Sequence, residues 1–239
     1  KPWGYGVVAL VTGLCLVSPH YQLSYYLLVA AGFWTLYLVF AAEGRPVGAA
    51  RFVALAASLG AVLLGLAISA IQALPFLSYL PYAARGTNQG WEYATSFALP
   101  VEELMTTVMP EFNGMLEQYW GQNFFKLHTE YLGAVVLVLA LLGLGDRFRG
   151  SLRWILLGIA GFFLLVAFGG HTPFYRLWYE VMPLMKKVRA PGMAFFLVYP
   201  QFGDAIGAEL RGPGRIAEAT RALIARGADV IKVGASERA

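Results

Sequence analysis

The chain has 239 residues, of which 58% are hydrophobic and only 13% charged, with a net charge of +4 and a mean hydropathy of +0.59. About 25% charged residues is usual for a soluble domain, so the deficit excludes ordinary water-soluble packing for most of the chain. The single Cys15 excludes an intrachain disulfide and a thiolate metal cluster, and its apolar setting makes it a small buried hydrophobe.

Charge is not spread evenly. Between Pro2 and Ala42 there is no Asp, Glu, Lys or Arg, and a second such run extends from Phe52 to Leu74. A surface helix of a soluble protein needs a polar face, whereas ~20 consecutive apolar residues suit the ~30 Å hydrocarbon core of a bilayer. Six apolar segments follow in chain order: Trp3–Val17, Tyr21–Ala42, Phe52–Leu74, Tyr131–Gly145, Trp154–Gly170 and Ala190–Gly203. The second and third meet the spanning length and the others, at 14 to 17 residues, are marginal. The expected fold class is an all-α polytopic membrane protein with about five to six transmembrane helices. A long extracytoplasmic loop and a short soluble-type α/β tail would complete it. The chain opens Lys1-Pro2-Trp3, without Met and with an apolar run already under way, so an internal fragment lacking its upstream part is expected.

Short basic connections set the orientation. Glu43–Arg51 holds two Arg and Asp146–Arg153 holds three, which the positive-inside rule makes cytoplasmic. Ser18–Gln22, Pro75–Glu130 and His171–Arg189 then face outward. The middle one carries six Glu against Arg85 and Lys126, while the last breaks the rule with Arg176, Lys186, Lys187 and Arg189. Gly13, Gly32, Gly60, Gly65, Gly158 and Gly161 inside the spans suit close helix packing. Trp3, Trp154 and Trp178 fit an interfacial belt, and Trp34 fits packing.

Residues 1–199 therefore read as one membrane domain and 200–239 as a separate tail, which holds 11 of the 32 charges in 40 positions. Pro213 opens a helical pattern through Ile216, Ala219, Leu223 and Ile224, and Asp229–Val233 reads as a short strand. One helix and one strand cannot form a core of their own.

The outward connections hold the candidate site residues. Ser18-Pro19-His20-Tyr21-Gln22 is a polar turn whose His20 either contacts phosphate or is a wetted turn residue. Pro75 through Gly86 offers Tyr79, Tyr82 and Arg85 as a headgroup shelf, or simply a chain leaving the membrane with Arg85 snorkelling. Pro100-Val101-Glu102-Glu103-Leu104 begins a short helix, where the two carboxylates complement the dipole or Glu103 serves as a base. Glu130, beside His128 and Tyr131 at the mouth of a span, suits sugar or metal contact, or an ion pair with Arg85 or a loop lysine. Gly169-Gly170-His171 followed by Arg176, Lys186, Lys187 and Arg189 fits the phosphate of a lipid-linked substrate, or an anionic headgroup without chemistry. No Walker loop, zincin motif, CxxC pair or GxSxG elbow occurs, and no basic–aromatic pattern for nucleic acid.

Taken in order, these motifs resemble the YfhO family of bacterial multi-pass membrane proteins, itself similar to GT-C glycosyltransferases. The resemblance covers residues 3–198 and rests on Ser-Pro-His-Tyr-Gln at 18–22, Leu-Pro-Phe-Leu at 74–77 and Pro-Val-Glu-Glu-Leu at 100–104. It continues through Pro110, Gly114, Tyr119-Trp120-Gly121, Glu130-Tyr131-Leu132-Gly133 and Thr172-Pro173-Phe174-Tyr175, ending at Val188-Arg189-Ala190-Pro191. It implies sugar transfer from a polyprenyl-phosphate donor to a cell-envelope acceptor, in the bacterial cytoplasmic (inner) membrane. Nucleic acid is not an expected partner, and a divalent metal ion is left open as a cofactor.

In GT-C enzymes the catalytic acid lies in the first outward loop, which would precede Lys1, so no residue here is assigned as catalytic. The resemblance makes Arg189, Arg176 and His171 phosphate contacts and Glu130 and His20 site-lining groups; Gln22, Arg85 and Glu103 complete the substrate-binding candidates. A non-catalytic lipid-binding, flippase-like or scaffold protein is the alternative. The tail, Gly212 to Val233, is similar to a helix–strand piece of metal-dependent amidohydrolases, which would single out Lys232 and imply two joined coding segments.

Overall fold

The computed structural model describes residues 3–18, 20–83, 90–114, 116–123, 130–144, 151–182 and 185–198. These residues are mostly helical, and no strand occurs among them. The α-helices are α1 (Trp3–Val17), α2 (Tyr21–Phe40), α3 (Ala49–Tyr79), α4 (Gly90–Thr95), α5 (Ala134–Leu144), α6 (Leu152–Ala167) and α7 (Pro173–Val181). Arg85 and the whole 200–239 tail, with its helix at Pro213, its strand and Lys232, lie outside the described residues.

Among the described residues, two helices are long and apolar enough to cross a membrane: α2, and α3 with the tight turn Leu80–Tyr82 that continues it. About a fifth of each apolar window is buried, 22% in α2 and 17% in α3. Phe52, Leu59, Leu63, Ile71 and Leu74 project outward along α3, and Leu27, Leu36, Leu38 and Phe40 along α2. At 1.5 Å per residue, α3 alone is ~46 Å long, well beyond the ~30 Å hydrocarbon core. Its last turns, past the internal Pro75, carry the exposed aromatics Phe76 and Tyr79, followed by Tyr82. That is where amphipathic rings fit a membrane interface.

Helix directions follow from a few contacts. The Ser24 hydroxyl of α2 donates to the Cys15 carbonyl at the end of α1 (2.7 Å). Gln72 of α3 donates to the Tyr21 hydroxyl (3.5 Å), and Tyr21 packs on Phe76 with ring centroids 4.8 Å apart. At the other end, Ser151 before α6 donates to the Ala41 carbonyl after α2 (3.4 Å). Thus α1 and α3 run parallel, and α2 runs back between the same two ends. The turn carrying Arg45 and Arg51 and the start of α6 with Arg153 share one end.

α1 and α3 meet through small residues. Ala61, Gly65 and Ser69 are the buried positions of α3, and Ala9, Thr12 and Gly13 those of α1. A Cβ on Gly65 would stand 2.6 Å from the Thr12 Cβ and 2.7 Å from the Ala9 carbonyl oxygen. One on Gly13 would stand 2.8 Å from the Ile68 Cγ2. This is small-xxx-small packing, where dispersion at close approach replaces a hydrophobic drive that lipid cannot supply. Gly32, Gly60, Gly158 and Gly161 face open space instead, so only two of the six span glycines hold helices together.

The second packing unit is aromatic. Tyr26 of α2, Phe163 of α6, Tyr175 and Trp178 of α7, and Phe195 form one buried cluster. Edge-to-face contacts run through it, with Phe162 at 5.1 Å from Trp178 and Tyr26 at 6.1 Å from Phe163. Trp178 is buried and its indole donates to the Met185 sulfur (3.0 Å), so it is a core residue and not a belt residue. Trp3 and Trp154 are exposed as the belt assignment expects, and Trp34 is partly so.

The sixth apolar segment differs from its expected form. Its described part is a tight 3₁₀ turn, Pro191–Leu197, folded against α6 and α2, with Ala194, Phe195 and Leu197 buried. The reason is local: Ala190 takes a left-handed conformation (φ 58°), and Pro191-Gly192 follows it. A Cβ on Gly192 would sit 2.7 Å from the Phe97 carbonyl, so the chain turns into the core there at close quarters.

Candidate functional site

The end of the bundle away from Arg45 and Arg51 gathers two polar neighbourhoods. The first forms where the turn before α2 meets the segment before Pro191. Gln22 donates from Nε2 to the carbonyls of Arg189 (2.8 Å) and Ala190 (3.3 Å), and its amide also reaches the Tyr26 hydroxyl (3.1 Å). The Ala190 N–H donates to the Ser96 carbonyl (2.9 Å). A left-handed residue on each segment, Phe97 (φ 56°) and Ala190, allows this crossing. Non-glycine residues adopt that conformation at a cost of roughly 1–2 kcal/mol, so the surrounding contacts must hold both.

Aromatic faces from α4, the residues just after it and α7 hold the cations. The Arg189 guanidinium lies 5.7 Å from the Tyr93 ring centroid and 5.5 Å from that of Phe97. Arg176 lies 4.9 Å over Trp91, and Lys186 5.4 Å over Tyr179. A stacked guanidinium keeps its N–H edge available for a phosphate oxygen while its face is occupied. Lys186 also pairs with Glu180 (2.7 Å), and Arg176 approaches the same carboxylate at 4.0 Å. The hydrogen bond from Lys186 holds Glu180 below the usual carboxylate range, and the same bond raises Lys186.

The second neighbourhood is acidic and buried. The Val101–Thr107 turn begins after Pro100 and places Glu103 inside, 1% exposed. The Tyr119 hydroxyl donates to Glu103 Oε1 and accepts the Asn123 backbone N–H (2.9 Å). Burial, reinforced by the Glu103 carboxylate, pushes the Tyr119 phenol up to about 12. Glu102, on the exposed side of the same turn, accepts from Gln122. Glu130 is also buried, and Leu132 just beyond it donates its N–H to the Thr107 carbonyl (3.1 Å). Asn123 ties the two neighbourhoods together by donating from Nδ2 to the Ala98 carbonyl (3.1 Å), next to Phe97.

Gln22 and Arg189 are thus in contact, Arg176 stands on the aromatic α4, and Glu103 and Glu130 are both buried, in segments joined by the Leu132–Thr107 bond. Glu103 does more than complement a helix dipole, since its carboxylate is a buried acceptor for Tyr119. His20 and His171 are both exposed. Arg85, one of the ion-pair partners foreseen for Glu130, lies outside the described residues. No group of three or more His, Cys, Asp or Glu able to hold a metal ion occurs among the described residues. Tyr93, Phe97 and Asn123 were not foreseen; the aromatics two and six residues beyond Trp91 were the available signal. Comparison with protein-family models, curated proteins and solved structures returned no match.

Proposed function

We propose that the chain is a polytopic membrane protein that binds a polyprenyl-phosphate-linked sugar at its extracytoplasmic end and transfers the sugar to a cell-envelope acceptor. The observation supporting this is the meeting of Gln22, Arg189 and the aromatics around α4 at the bundle end away from Arg45 and Arg51. With those basic turns in the cytoplasm, the stacked cations face the leaflet in which a lipid phosphate would present its oxygens. Arg189 and Arg176 take the phosphate, and Glu103 and Glu130 lie on the sugar side as acceptors for hydroxyl groups.

On this reading α1 and α6 cross the membrane beside α2 and α3. At 15 and 16 residues they are ~23 Å long, short enough to need local thinning of the bilayer. The setting is a bacterial cytoplasmic membrane, as the YfhO and GT-C resemblance implies. Membranes from cells expressing the gene, supplied with radiolabelled polyprenyl-phosphate sugars, test the proposal. Sugar transfer that falls by a factor of ten or more in Arg189→Ala (about 1.4 kcal/mol) is the expected result. Binding of the lipid without transfer in the unaltered protein would favour the non-catalytic lipid-binding alternative.

A further inference from the structure

Gln22, expected to contact substrate, uses its amide nitrogen inside the protein. Nε2 carries two protons and has three acceptors in reach: the Tyr26 hydroxyl (3.1 Å) and the carbonyls of Arg189 (2.8 Å) and Ala190 (3.3 Å). Two carbonyls facing one amide fix which way it points, since a reversed amide would set its oxygen against theirs. Tyr26 is fully buried in the aromatic cluster, so Gln22 ties the Arg189–Ala190 main chain to the core.

The tied segment needs holding. Ala190 is left-handed without being glycine (φ 58°, ψ 61°), a conformation that persists only where its surroundings impose it. The Ala190 N–H donates to the Ser96 carbonyl (2.9 Å), and the Ala190 carbonyl accepts the Met193 N–H (3.0 Å) as well as the Gln22 amide. Beyond the main chain, the Arg189 guanidinium stands against the rings of Tyr93 and Phe97, and no carboxylate pairs with it among the described residues. Arg176 and Lys186, by contrast, both reach Glu180. A ring face holds a cation near it without fixing where its N–H edge points. The position of the Arg189 main chain therefore decides where that edge is presented.

We infer that Gln22 is a positioning residue, an amide clasp that holds the Arg189 main chain so that the stacked guanidinium presents its N–H edge to a phosphate oxygen. The clasp stands on the hydrogen bonds alone; its ligand rests on the phosphate site of the proposed function. Gln22 then acts behind the site, through Arg189, and not as the direct contact its place in the polar turn suggests.

Gln22→Met keeps the side-chain length and removes the amide, and Gln22→Ala serves where Met does not fold. Hydrogen–deuterium exchange tests the clasp without any lipid. In either variant, exchange at the Ala190 amide should quicken roughly fivefold, the factor of one net hydrogen bond. The Leu99 amide, bonded to the Ala167 carbonyl (2.8 Å), should keep its parental rate. An unchanged rate at Ala190, or an equal rise at both amides, would overturn the inference. Polyprenyl phosphate titrated into the detergent-solubilised protein then tests the positioning. It should bind Gln22→Met roughly fivefold more weakly than the parent, while adding Gln22→Met to Arg189→Ala should cause no further loss. An equal loss in both backgrounds, or none in the parent background, would show that Gln22 does not act through Arg189 and would overturn the inference. Faster exchange confined to Ala190 in a parent that binds no polyprenyl phosphate would keep the clasp and reject the proposed function.

Discussion

The α1–α3 pair and the loop-rich end away from Arg45 and Arg51 are held together by opposite means. Where α1 meets α3, the contacts are Ala9, Thr12 and Gly13 against Ala61, Gly65 and Ser69, with no charged side chain in the seam and the apolar rims left outward. At the loop-rich end, stacked cations, a buried carboxylate and left-handed residues are fixed by hydrogen bonds between segments far apart in sequence. The first arrangement suits a solvent that cannot compete for dispersion contacts. The second suits a place where polar groups need partners and where a ligand can supply some. One chain thus joins a close-packed helical scaffold, with two helices long and apolar enough to cross a membrane, to a strained polar cap.

The comparison breaks most readily at Gly65. Gly65→Leu forces a side chain into the Thr12 methyl and the Ala9 carbonyl, and backbone cannot yield as a flexible side chain can. A loss of about 3 kcal/mol or more is expected, near the upper end for overpacking, read by thermal unfolding in detergent. Gly60→Ala, on the open side of the same helix, should be neutral or stabilising by up to about 1 kcal/mol. Equal effects at the two sites would remove the close-packed seam from the account.

At the polar end, Tyr119→Phe deletes the hydroxyl that bonds the buried Glu103, at an expected cost of about 1.5–3 kcal/mol for a bond to a charged group. The alkaline limb of stability should change with it. A phenol raised from 10 to about 12 contributes stability that is complete below pH 10 and is lost as pH climbs toward 12. Tyr119→Phe should therefore flatten the stability profile between those values. Arg189→Ala should have a smaller effect on folding, below about 1 kcal/mol because the cation is exposed, and a large one on lipid binding.

The smallest effect belongs to the surface pair. Lys186→Ala should leave the melting temperature within error at physiological salt, because an exposed pair is screened. Glu180 is held low, so its small contribution is present above the ordinary carboxylate range and fades as pH falls through the lowered value. Lys186 is held high, so its contribution fades only as pH rises through its raised value.

Apolar run length made much of the scaffold legible in the sequence. The first helix keeps the bounds Trp3–Val17 and the second starts at Tyr21 as expected. The third extends from Ala49 to Tyr79 because Ala and Arg are good helix formers ahead of Phe52, and because Pro75 interrupts one hydrogen bond without ending the helix. Which glycines pack was not legible, since Gly60 and Gly65 look alike until a neighbour is placed beside one of them. The pairing of Gln22 with Arg189 spans 167 positions and has no local signal in the sequence.

The central claim is that the arginine-bearing turns and the polar cap lie on opposite sides of a membrane, and cysteine labelling tests it directly. Glu43→Cys and His171→Cys, each in a Cys15→Ala background, place one exposed thiol at either end of the bundle. With a membrane-impermeant maleimide added to intact spheroplasts, the account predicts that the His171→Cys protein is labelled and the Glu43→Cys protein is labelled only after lysis. Labelling of both from the same side would contradict it.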